Sequence, residues 1–346
     1  MNQATLDLDL LPTDHADRSG FALGWDHAHH GLVPPAGLLL EGTPVSQGWR
    51  AGKAVFGLRT LGSGAAVRQW LQLRTEAWLQ GRAFELMQVT PHYLAQIAAT
   101  HCPVTRQALG GAPLADTAPV VVRLCNDAGY AAGNLAVLSR RAALAKADTT
   151  LADALRHAAA IEAGAAESVG GLDAAGWRRL ATLMSFVTPL SALDAARLPL
   201  CALPPNRVRV LNAAQGLQAL LTLQFVAPGW SRRLRAAVAC LSDPALRHDF
   251  NLWVGAVAPR RLAAGDSQGP RAVRLALEDA WGDARVHGRW QHFMAQLGAP
   301  AAEALLQRLA AAGLAGVHTR WHDTGSATEG WALATRGLLR PRTAAP

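Results

Sequence analysis

Cysteine is scarce in this chain, and what there is stands apart: Cys102, Cys125, Cys201 and Cys240 form no C-x-x-C pair. That spacing argues against a disulfide framework and against a zinc knuckle. There is no G-x-x-x-x-G-K phosphate loop, so nucleotide hydrolysis has no support. No run approaches the roughly 18 uncharged apolar residues that span a bilayer. The opening residues Met1 to Asp9 lack a basic stretch followed by an apolar one, so the reading is a cytoplasmic, bacterial protein without a membrane partner. Lysine is nearly missing as well, with only Lys53 and Lys146 among 33 basic residues.

What is present is apolar and arginine-rich. Half of the 346 residues are hydrophobic, enough for a real core and for about two domains. The formal charge of +8 suits a polyanionic partner such as DNA or RNA. The preference for arginine, alanine, glycine and proline is also what a high-GC genome imposes on any protein, and most of the scattered arginines read as solvated helix faces.

The chain reads as predominantly helical α+β, in three regions. Residues 1 to 90 are irregular and helical: a polar arm to about residue 20, then a stretch from Gly20 to Gly64 whose Gly, Pro and Trp content suggests irregular structure. A helix from Ala65 to Glu85 follows, with Val67, Trp70, Leu71 and Trp78 near one face. Residues 91 to 165 open with Thr90-Pro91, a cap followed by proline at the first helical position. Residues 166 to 346 form an all-helical region of six or so members. Asn212 is placed to cap one helix and Ser242-Asp243-Pro244 to start another. Core packing is expected for Trp70, Trp78, Trp177, Trp253, Trp281 and Trp290, in preference to base stacking.

The middle region carries the most information. Val120, Val121 and Val122 make a β-branched run bounded by Pro119 and the turn Asn126-Asp127-Ala128-Gly129, as a short strand requires. Leu135 to Leu138 make a second, and Ser139 can cap a helix through Lys146. Thr150-Leu151-Ala152-Asp153 then resembles a capping box.

Cys102-Pro103-Val104-Thr105, Arg123-Leu124, Asn126-Asp127, Gly129-Tyr130, Gly133-Asn134, Ser139, Arg141 and Lys146 together match a known spacing. The segment resembles the HNH endonuclease family over about 45 residues, as a small ββα module set between helical regions. The resemblance implies one divalent metal (Mg, Mn or Zn) held between a strand carboxylate and a helix His or Asn, with an activated water attacking a phosphodiester. Aligned on Gly133-Asn134, however, those ligand positions fall on Val122 and Ala143, which bind no metal. The resemblance therefore implies an inactive module, with no cofactor, in which Arg123, Arg140, Arg141 and Lys146 contact phosphates and Asn134 braces the loop.

Two other readings stay open. In one, the module is a working nuclease in which Asp127, with Asn134, or a histidine such as His101 or His29, replaces the lost ligands. In the other, the ββα element is only a folding unit of an interaction protein. Elsewhere, Asp26, His27, His29 and His30 are the densest group of metal-ligand types, suited to zinc or another transition metal. Adjacent ligands can face one ion only if the backbone is irregular. His318, His322 and Asp323 form a weaker group of the same kind. Glu278 and Asp279 are neighbours on a helix, so they face different directions and do not form a catalytic pair. Cys102 reads as a buried thiol.

Overall fold

The computed structural model describes residues 15 to 265, 269 to 314 and 324 to 339. The group His318 to Asp323 and most of the N-terminal arm lie outside them. Among the described residues the fold is α-dominated α+β, many helices with one two-stranded antiparallel sheet. The chain divides into two compact units. One comprises Met1–Gln96, Asn126–Ala132 and Gly330–Pro346; the other Ile97–Cys125 and Gly133–Glu329. This is not the linear three-part division read from the sequence. The strands and their helix group with the C-terminal helices, and the turn between the strands groups with the N-terminal ones.

The first unit contains α1 (His15–His29), α2 (Pro44–Phe56), α3 (Ala65–Leu79) and nearly all of α4 (Pro91–Ile97). The stretch expected to be irregular is therefore mostly helical, and α1 already covers His15 to Gly20, which were read as part of the arm. Thr43 caps α2 by accepting from the Ser46 amide at 3.2 Å, with Pro44 at the first helical position. The glycines that suggested irregularity serve contact instead. A Cβ on Gly24 would overlap the Val45 carbonyl, and one on Gly48 would overlap the Phe21 carbonyl. Only glycine lets α1 and α2 approach so closely. α3 starts at Ala65 as its periodicity indicates, with Trp70 and Leu71 buried, but stops at Leu79, short of Glu85, ahead of Gly81 in a left-handed conformation (φ 62°).

The segment Asn126–Ala132 is woven into this unit through its backbone. Tyr130 N donates to Ala83 O at 2.8 Å and Tyr130 O accepts from Glu85 N at 2.9 Å. Gly129 N donates to Trp331 O at 2.8 Å, and the Trp331 indole donates to Ala132 O at 3.0 Å. A Cβ on Gly129 would collide with the Ala83 carbonyl oxygen.

The second unit holds β1 (Pro119–Arg123) and β2 (Leu135–Ser139), followed at once by α5 (Arg140–Lys146). The strands pair antiparallel, with Val122 opposite Ala136 and Arg123 opposite Leu135. β2 is wholly buried and β1 half-buried. Ser139 caps α5, and Thr150 and Asp153 form the expected capping box of α6 (Leu151–Glu162).

Then come α7 (Ala174–Phe186), α8 (Ala192–Arg197), α9 (Ala213–Val226), α10 (Trp230–Ala239), α11 (Pro244–Ala264), α12 (Gly269–Ala280), α13 (Ala284–Leu297) and α14 (Ala299–Ala311). With the short α15 (Thr324–Ala327), nine helices stand in this region among the described residues where six or so were expected. Their core is aromatic: Trp253, Trp281 and Trp290 lie with ring centroids 5.4 to 5.8 Å apart and are almost fully buried, with Phe225, Phe250 and Phe293 around them. Asn212 precedes α9 but does not cap it. Its side chain accepts from Leu190 N at 3.0 Å and donates to the Ser185 and Thr188 carbonyls.

Candidate functional site

The ββα element is held together by one buried side chain. Asn134, 0% exposed, accepts from Cys125 N at 2.8 Å through Oδ1 and donates to Cys125 O at 3.1 Å through Nδ2. Its own carbonyl accepts from Leu124 N at 2.8 Å. The amide side chain thus imitates a strand partner and extends the ladder beyond the paired residues of β1 and β2. The side-chain amide thereby ties the end of the hairpin loop to the Cys125 backbone.

The basic residues of the element differ in availability. Arg140 is half-exposed, and among the described residues its guanidinium makes no hydrogen bond or ion pair. Arg141 is partly committed: it lies 3.6 Å from the Asp116 carboxylate and donates to Gln107 Oε1 at 3.2 Å. Arg123 is half-buried on β1. Lys146 is 2% exposed, so its ammonium is not presented to a macromolecular polyanion. Burial first, then the nearby Arg123 charge, push Lys146 down to about 8, against smaller opposing pulls from Cys125 and Asp148.

The start of α5 offers no free amides to an anion. Arg140 N donates to Ala118 O, Arg141 N to Asp116 O and Ala142 N to Ser139 Oγ. Guanidinium groups alone remain for phosphate contact here.

The positions read as metal ligands, Val122 and Ala143, carry no donor atom. Asp127 is exposed in the turn and His101 is half-buried in a separate turn. Among the described residues no group of three or more His, Cys, Asp or Glu is placed to hold a metal ion. The Asp26 to His30 cluster is dispersed because α1 is helical there, which points successive side chains apart. Asp26 pairs with Arg74, which also sits 4.4 Å over the Trp70 ring. The His29 ring stacks on Phe56 at 4.2 Å, and His30 Nδ1 lies 3.2 Å from Gly62 O. His27 is buried with neither ring nitrogen hydrogen-bonded. Burial and then Arg74 push it down to about 4, against a raising effect of Asp26.

A constellation that sequence reasoning missed sits around the Cys102 turn. The Cys102 thiol accepts from Thr105 N at 3.4 Å, and the Thr105 and Ser139 hydroxyls lie 3.4 Å apart beside it. Burial raises this thiol, but hydrogen bonds from Ser139 and Thr105 outweigh it and leave the group below its ordinary range. From the same turn Arg106, in a left-handed backbone conformation (φ 61°), reaches Asp279 at 2.7 and 2.9 Å and Glu278 at 3.4 Å. One guanidinium spans both carboxylates even though they are consecutive on α12. Only the C-P-V-T turn signalled this place in the sequence; nothing in the spacing linked residue 106 to residue 278. Comparison with protein-family models, with curated proteins and with solved structures finds no match to this chain.

Proposed function

We propose that this chain binds nucleic acid through its ββα element and does not cut it. The reading rests on one observation: a hairpin running directly into a helix, with apolar residues at Val122 and Ala143 and guanidiniums at Arg123, Arg140 and Arg141. The +8 formal charge supports it, since phosphate neutralisation supplies most non-specific affinity for DNA or RNA. Arg140 contributes most because its guanidinium is uncommitted, Arg141 less because Asp116 already holds it. Lys146 drops out of the contact set by burial.

A fluorescence titration with labelled DNA and RNA at several salt concentrations tests this. Binding should weaken with salt, and exchanging Arg140 and Arg141 for Ala should flatten the slope by about one to two units, at about one per phosphate contact. Affinity that is absent, or that ignores both exchanges, would remove nucleic acid as the partner. Nicking of plasmid DNA with Mg, Mn or Zn that disappears on Asp127→Ala would replace this reading with an active nuclease.

A further inference from the structure

The second unit contains a cavity of about 520 Å³ beside the Cys102 turn, walled by residues 97 to 106, β2, α9 and α12. That size falls within the range of small-molecule sites, about 300 to 1,000 Å³. Its chemistry is divided. Ile97, Val137, Leu223 and Val226 supply aliphatic surface, whereas Arg106, Arg271 and Arg274 bring three guanidiniums to the same space.

The two carboxylates nearest these arginines are largely spent on holding them. Glu278, 4% exposed, accepts from Leu203 N at 2.9 Å, Arg274 Nε at 3.0 Å and Arg106 at 3.4 Å. Asp279 takes both terminal nitrogens of Arg106. Three cations therefore face two anions, and donors are left over. Among the described residues Arg271 makes a single hydrogen bond, to the Arg106 carbonyl at 2.9 Å, and Arg106 Nε is buried with no acceptor. An anionic ligand would supply acceptors for the spare guanidinium donors.

Among the described residues no Phe, Tyr or Trp lines the cavity, and a polynucleotide would leave the aliphatic wall unmatched. We propose that this cavity binds a small amphipathic anion, a carboxylate or phosphate carried on an aliphatic body. The head lies against Arg271 and Arg274, and the body lies on Leu223, Val226 and Val137. The site is independent of the nucleic-acid reading, since it uses none of Arg123, Arg140 or Arg141.

Isothermal titration of the full chain with octanoate, octyl phosphate and 1-octanol tests it. Either anion, or both, should bind saturably at one per chain, and 1-octanol should bind at least about tenfold more weakly. Arg271→Ala removes an exposed side chain with one hydrogen bond, so its melting temperature should stay unchanged while anion affinity falls at least about tenfold. Leu275→Trp, which fills the cavity and leaves every charge in place, should abolish binding. Failure of both anions to saturate at millimolar concentration would overturn the proposal, as would equal binding of the alcohol. Indifference to Arg271→Ala in a variant that melts normally would do the same.

Discussion

His27 shows how one side chain sets a pH limit. Its pKa of about 4 in the folded chain lies below the ordinary value of 6.5. Between those values the unfolded chain takes a proton that the folded one refuses. Stability is therefore complete above pH 6.5 and declines as pH falls towards 4. Burial also lowers His287, so that residue adds to the loss in the same direction. Thermal melts from pH 7 to 4 should show the decline, and His27→Leu should make it shallower; an unchanged slope in that variant would place the cause elsewhere. Asn134 is the second critical residue. Asn134→Ala leaves both polar backbone groups of Cys125 without their side-chain partner, a cost of about 2 to 4 kcal/mol from two broken bonds. Urea denaturation measures it directly. The importance of Asn134 was readable from the Gly133-Asn134 turn. The burial of Lys146 was not, because a lysine in the last turn of a seven-residue helix looks like any exposed cation.

At the scale of elements, two glycines on packed helices and one on an open face give opposite outcomes. Gly24→Ala or Gly48→Ala drives a methyl group into a facing backbone carbonyl and should cost about 1 to 3 kcal/mol or more by overpacking. Gly255 lies inside α11 with no atom near its would-be Cβ, so Gly255→Ala should stabilise by about 0.5 to 1 kcal/mol. Denaturant midpoints for the three variants decide the matter. The sequence reading treated the first two as signs of irregular chain, since glycine marks turns more often than helix contacts. Strands and most helices were readable because β-branched runs, helical periodicity and caps are local signals. The pairing of Tyr130 with Ala83 and Glu85 is not local: two single backbone contacts between segments without strand pattern leave no trace in composition. The Arg106, Glu278 and Asp279 cluster escaped for the same reason.

The whole molecule is discontinuous in a way that matters for its synthesis. The backbone contact between Gly129 and Trp331, and the indole bond that joins Trp331 to Ala132, 199 residues apart, belong to the same unit as α1 to α3. A chain emerging from the ribosome makes those helices first, yet Trp331, which pairs with Gly129 and Ala132, comes only after the whole helical series of the other unit. α1 to α3 thus spend most of translation with an unfinished surface, a period in which chaperones or proteases have access to them. A released chain truncated after residue 329 should be cleaved within residues 15 to 96 by a protease to which the full chain is resistant there, and restoring residues 330 to 339 should be enough to remove that vulnerability.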